Sequence, residues 1–347
     1  MGIQLSSLSG RTYFTSDIPD VDIRTSGDDS VEVTVSCDGE QVLKESMWPV
    51  ENVVTVNALG ELLEPYVRKR LVSSVTVSVL SSDSGTSSAT VTVLYSRADV
   101  GIDASTFYNS YFLSILQGPK TTALGRLELL WYYGGDSAKV TAEYNDGTTS
   151  LFDAVIETST TQYSCINASA EYYTQQGKTL SAYTIHAGLR SQRFIVDHLV
   201  PDCAPIMEFY NSFGVWELLY CTGTHKVAPE YKRDSARISG KTRNYRIEET
   251  RKFEADTGIL TKPMATWVDE LFRSDEVYVV NVYGGSVENR DSGKEVVITE
   301  SKSEVTNEDD NMPHFSFTYH YAQRIHNVLQ LGRVGRIFDN TFDHTFN

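Results

Sequence analysis

A chain of 347 residues with 46 acidic and 30 basic side chains carries a formal charge of −16 and is long enough for two or three domains with a sizeable core. Hydrophobic residues at 40% and charged residues at 22% exclude general disorder, and no run reaches the roughly 18 to 20 apolar residues that cross a bilayer. The acidic balance argues against a protein that grips duplex nucleic acid, because phosphate binding draws on a surplus of Lys and Arg.

The opening residues, Met1 to Gly10, have neither a basic nor an apolar region, so no secretory signal is expected there. Alternation then dominates. Val31 to Ser36, Val75 to Val79 and Ala89 to Leu94 read as half-buried antiparallel strands. Turn signals such as Asp38-Gly39, Asn145-Asp-Gly147 and Asp291-Ser-Gly293 separate the strands. Between Asn57 and Arg70, Leu59, Leu62, Leu63, Tyr66 and Val67 share one helical face, and Pro65 is expected to kink or split that helix. Residues 1–100 therefore read as a β-sandwich carrying a short helix, and 101–200 as a second β-rich unit. Without regular intervening helices, the strand spacing indicates sandwiches and not a parallel sheet.

From residue 201 a Pro201/Pro205 entry leads into strands over 206–222, a charged pair of strands near 237–254, and strands near 276–283, 294–301 and 314–322. A helix over 263–273 starts at Pro263 and carries Met264, Trp267, Val268, Leu271 and Phe272 at helical spacing. That stripe must pack on something large, most simply a sheet face, with Met264, Trp267, Leu271 and Phe272 as anchors. Residues 201–330 form the third unit and 331–347 an extended tail. In that tail Ile337, Phe338, Phe342 and Phe346 alternate with acidic residues and read as a docking segment for a neighbouring molecule.

Charge divides the third unit. Nine basic residues face four acidic ones between Lys226 and Lys252, and ten acidic face three basic between Asp275 and Asp310. A basic arm followed by an acidic sheet would let one subunit's arm lie on its neighbour, with Lys241, Arg243 and Arg246 as contacts. Two ordinary solvated faces would give the same pattern.

No catalytic signature survives inspection. Gln117 to Thr122 contains Gly-x-Lys-Thr, but Pro119 removes an N–H that a phosphate loop needs, so the stretch reads as a turn. Cys221 and His225 lack the further ligands of a zinc site. His314, His320 and His326, the aspartates at 17, 20 and 22, and the acidic stretch 307–311 also fall short of known metal spacings. Cys37, Cys165, Cys203 and Cys221 read as reduced, mostly buried thiols. No enzyme activity, metal or cofactor is expected. Aromatic clusters at Trp131-Tyr-Tyr133 and Glu171-Tyr-Tyr173 offer stacking platforms for sugars, with Trp131 and Tyr132 the candidate glycan contacts.

Three strings carry a resemblance: Phe209-Tyr-Asn-Ser-Phe-Gly-Val-Trp-Glu217, Ile238-Ser-Gly-Lys-Thr-Arg-Asn-Tyr245 and Gly335-Arg-Ile-Phe-Asp-Asn-Thr-Phe-Asp-His-Thr-Phe346. Over roughly residues 190–347 the chain resembles tail-associated structural proteins of phages and prophages of gut Bacteroidetes. The element order of the third unit is also similar to the tail-tube fold, which implies a ring, usually hexameric. Strand pattern and resemblance together give the expected fold, a mainly β protein: two β-sandwich-like units, read from the pattern, followed by a tail-tube-like β domain with one flanking amphipathic helix, as the resemblance implies. It implies a distal-tail or baseplate ring component of the virion, assembled in the bacterial cytoplasm. Such a ring would anchor other tail or receptor-binding proteins and pass DNA as cargo without specific binding, with no membrane insertion. The alternative expectation is a glycan- or receptor-binding β-sandwich protein of a phage or bacterial surface.

Overall fold

The computed structural model describes residues 3–5, 8, 10–27, 30–81, 85–160, 162–199, 203–282, 286–303 and 312–323. The protein is mainly β, and among the described residues its strands form five sheets.

Strands β1 (Gln4–Leu5), β2 (Thr12–Phe14), β3 (Val21–Arg24), β4 (Val31–Cys37), β5 (Glu40–Met47), β6 (Val53–Val56), β7 (Val72–Ser81) and β8 (Gly85–Leu94) build the first sandwich, with helix α1 (Leu59–Val67) between β6 and β7. Its sheets run β1-β3-β6 and β2-β8-β7-β4-β5. The strand period of two turns Val31, Val33, Val35, Val75, Val77, Val79, Val91 and Val93 inward to meet Val21, Ile23, Val54 and Val56. Leu59, Leu63 and Val67 of α1 join that core. Pro65 does not split the helix as expected. It lies on the exposed face, where the carbonyl it orphans can be hydrated. Gly60 lies so close to Thr15 that a β-carbon would strike the Thr15 carbonyl, so only glycine lets the helix seat here.

The second sandwich comprises helix α2 (Ala104–Ser110) and strands β9 (Lys120–Thr122), β10 (Leu129–Tyr133), β11 (Ala138–Tyr144), β12 (Thr149–Asp153), β13 (Val155–Ser159), β14 (Tyr163–Asn167), β15 (Leu180–Ala187) and β16 (Arg190–Val196). Its sheets run β12-β11-β15-β16-β9 and β10-β14-β13, and Leu130, Tyr132 and Ile166 meet Val140, Ile185 and Phe194 between them. Helix α2, which the apolar pattern did not announce, starts at Asp103, whose carboxylate accepts from the Thr106 N–H at 3.0 Å.

The third body is one seven-stranded sheet: β17 (Ile206–Tyr210), β18 (Trp216–Tyr220), β19 (His225–Ile238), β20 (Lys241–Asp256), β21 (Val277–Val280), β22 (Lys294–Lys302) and β23 (Ser316–Tyr321), in the order β18-β17-β21-β22-β23-β20-β19. Helix α3 (Lys262–Arg273) covers one face, its N-terminus capped by the Thr261 hydroxyl. At the β18-β17-β21 end the opposite face packs on the three-stranded sheet of the second sandwich, through Ile206, Leu218, Tyr220 and Val280 against Leu127, Leu129 and Cys165. That sheet is therefore covered on both sides, and every residue of β14 is buried.

All three bodies meet at one further core of Phe14, Val72, Leu94, Phe107, Leu113, Tyr163, Phe213 and Val215. Phe213 and Val215 come from the turn between β17 and β18, which plugs the junction. At its tip Gly214 has φ +74°, and a β-carbon there would come within 2.6 Å of Leu71 and 2.7 Å of Tyr95. The Arg97 N–H donates to the Ser212 carbonyl at 2.8 Å, and the Tyr163 hydroxyl to the Leu71 carbonyl at 2.8 Å.

Candidate functional site

Strands β19 and β20 form a hairpin that begins at His225, well before the expected 237, and closes at the Ser239-Gly240 turn, both residues at positive φ. Among the described residues only Phe253 to Asp256 at its base gain a third strand, from β23. Beyond that point the ribbon projects as two strands, on the order of 40 Å at the usual strand rise. No residue between Lys226 and Lys252 is buried. Val227, Tyr231, Ile238, Tyr245 and Ile247 are all more than 40% exposed. Pro229 sits on the outer strand β19, where its missing N–H breaks no ladder bond to a further strand.

Charge along the arm is sorted. Near its base the carboxylates are matched: Lys226 with Glu254 at 3.5 Å, Lys252 with Glu230 at 3.0 Å and Arg251 with Glu249 at 3.0 Å. Arg246 pairs with Glu248. Towards the tip Lys232, Arg237, Lys241 and Arg243 have no carboxylate partner among the described residues, and Arg233 lies over the Tyr231 ring at 4.9 Å. Of the three expected contact residues, Lys241 and Arg243 thus present free charge, and Arg246 is engaged on its own strand.

The acidic segment is less uniform than its composition. Asp275 and Glu276 are taken by Arg68 and Arg97 of the first sandwich. On the sheet face opposite α3, Glu254 and Glu300 line up through Thr318, and Glu295 stands opposite Tyr278. These three glutamates are exposed.

The helix anchors lie where the spacing put them. Met264, Trp267 and Leu271 are buried among Met207, Phe209, Leu219 and Phe317, and Phe272 packs edge-on to Phe315 and Phe317. Tyr132, named as a glycan contact, is corrected by its burial. It is 1% exposed, its hydroxyl donates to the Asp136 carbonyl at 2.6 Å, and the buried Arg190 guanidinium lies 5.0 Å from its ring. Trp131 is half-buried beside Trp216, whose carbonyl accepts its indole N–H at 3.2 Å. Neither ring offers an open stacking face. Ile337, Phe338, Phe342 and Phe346 lie outside the described residues.

Reading by motif missed a buried polar cluster. Lys120, expected in a turn, opens strand β9 and is buried; its ammonium donates to Glu128 Oε2 at 2.7 Å and sits 4.3 Å from the Trp267 ring. Thr122 donates to the other Glu128 oxygen at 2.9 Å. Glu217 on β18 accepts from the Trp267 indole at 2.9 Å and the Asn211 amide at 3.0 Å. Burial pushes its carboxyl upward, against the pull of Lys120 and these donors. Glu270 on α3 accepts from the Ser212 N–H at 3.0 Å, and burial with the nearby Glu217 raises it to about 7. Lys120 is committed to Glu128, so it is not poised over a phosphate. His225 bonds Tyr319, His314 bonds Asp256, and the four cysteines form no disulfide with one another. Among the described residues no three His, Cys, Asp or Glu side chains group as a metal site, and no helix is long and apolar enough to cross a membrane.

No protein-family model matches the sequence, and no curated protein does. Solved structures align weakly. Titin domains I67–I69 align at 13% identity over 71% of this chain and 89% of theirs, with TM-score 0.20. The Bacteroides ovatus mixed-linkage glucan locus protein SGBP-B, solved with a mixed-linkage heptasaccharide, aligns at 12% over 70% of this chain and 66% of its own, with TM-score 0.16. A 1.5-MDa bacterial ice-binding adhesin aligns at 11% over 82% of this chain and 94% of the other, with TM-score 0.16. TM-scores of this size establish no common fold, and function is read from the chain's own geometry.

Proposed function

We propose that this chain is a non-enzymatic structural subunit that assembles with copies of itself through the β19–β20 arm, as a ring component at the distal end of a phage tail. The arm carries the reading. A two-stranded ribbon with both faces solvated is marginal alone, and its exposed aliphatic and aromatic side chains gain burial only against another molecule. Its cationic tip suits a neighbour's outer sheet face bearing Glu295 and Glu300, so that charge fixes register while apolar contacts supply affinity. The phage-tail setting and its DNA conduit rest on the sequence resemblance. Negative-stain microscopy of the purified chain tests the reading: discrete closed rings are expected, and isolated particles at every concentration would overturn it.

A second reading, glycan or receptor binding, has one observation in its favour. Trp48, at the end of edge strand β5, is 72% exposed, with Val50 beside it at 75%. An indole face so open is suited to stacking on a sugar ring. A glycan array probed with the chain and with Trp48→Ala tests this; binding lost in the variant would favour it, and absence of binding would remove it.

A further inference from the structure

The turn between β17 and β18 is held from three sides. Ser212 accepts from the Arg97 N–H of the first sandwich, and Asn211 donates to the Leu113 carbonyl of the second at 2.7 Å. From α3, Glu270 Oε1 accepts the Ser212 N–H. Glu270 is 3% exposed, and its second oxygen, Oε2, is buried without a hydrogen-bond partner among the described residues. A carboxylate in that position leaves a charged oxygen desolvated and unpaired, whereas a carboxylic acid does not.

Among the described residues no cation forms an ion pair with it, and the pull of Arg273 on its carboxyl is outweighed by burial and the nearby Glu217. The residue borders a cavity of about 150 Å³ at the junction, walled by Arg68, Tyr95 and Arg97 of the first sandwich, Tyr210 of β17, and Arg273 and Asp275. Arg68 and Arg97 are committed to Asp275, Glu276 and Glu64, and Arg273 to Asp269. From β18 the like-charged Glu217 faces it, already taken by Trp267 and Asn211. Ionisation therefore favours any state in which the turn withdraws and Glu270 reaches water.

We propose that this three-way junction is a proton-linked joint, in which loss of the Glu270 proton loosens the β17–β18 turn and with it the seating of the first sandwich. The sign follows from linkage. The closed joint holds the proton up to about pH 7, whereas an opened, hydrated carboxyl releases it near its ordinary value of 4.5. Opening becomes easier as pH rises between these values and levels off above them, so acidification tightens the joint.

Hydrogen exchange on the full chain, corrected for intrinsic rates and run from about pH 5 to about pH 8, tests this. Opening at the Ser212 and Arg97 amides should rise by up to on the order of tenfold per pH unit below about 7 and flatten above it, and Glu270→Gln should remove the slope. A flat profile in the native chain, or an unchanged slope in the Gln variant, would overturn the proposal. Should the variant fail to fold, the native carboxyl is followed by carbon-13 NMR. A Glu270 titration near neutral pH supports the joint, and a carboxyl already ionised at about pH 5 overturns it.

Discussion

The Trp267 indole N–H donates to Glu217 Oε2 at 2.9 Å, joining the largest buried side chain of α3 to a buried carboxylate on β18. Helix and sheet are thus locked by a directional contact as well as by apolar packing. Glu217 also holds Asn211, so one carboxylate ties the helix to the turn that plugs the three-way junction.

Glu217→Ala should therefore cost about 3 to 5 kcal/mol, because it leaves the indole and one of the two Asn211 amide N–H groups without an acceptor in a buried site. Glu217→Gln keeps an acceptor oxygen and should cost less, about 1 to 2 kcal/mol. Urea unfolding of the two variants measures the difference; equal losses would mean that the contact is not what holds the helix.

Lys120 and Glu128 are both buried at 2.7 Å, so removing either one strands the other. Lys120→Met and Glu128→Gln should each destabilise by about 3 kcal/mol or more. The double variant should cost clearly less than the sum of the two. A double-mutant cycle in urea reads the coupling, and strict additivity would show that the pair does not interact in the fold.

The outward charges of the arm should matter to association and not to folding. Lys241→Glu with Arg243→Glu is expected to weaken assembly at least tenfold and to shift the melting temperature by no more than a degree or two, since exposed unpaired charges contribute at most about 0.5 kcal/mol to stability. Sedimentation and calorimetry on the same samples check both halves. Assembly should also weaken with added salt, because the contact is solvent-exposed.

Alternation made the first sandwich legible. Each of Val31–Cys37, Val72–Ser81 and Gly85–Leu94 contains the run read as a strand, because one face is buried and the other wet. Helix α3 was legible for the same reason at its own period. The arm was underestimated because a ribbon solvated on both faces has no hydrophobic period to read; Lys226 to Arg237 looks like loop until pairing is seen. The buried cluster left a faint signal, a single glutamate inside each of the apolar runs Leu127-Glu-Leu-Leu130 and Trp216-Glu-Leu-Leu-Tyr220. A charge in such a run implies a buried partner, but the partners come from distant segments: Lys120 from another strand and Trp267 from α3. The aromatic run 131–133 misled because strand alternation does not say which sheet faces are covered, and β10 is covered on both.

The most direct test of the account is the solution mass of the intact chain against one in which residues 229–249 are replaced by a two-residue turn. Light scattering should give a discrete oligomer for the intact chain and a folded monomer for the shortened one, with matching circular dichroism. An intact chain that stays monomeric at high concentration, or a shortened chain that still assembles, would contradict it.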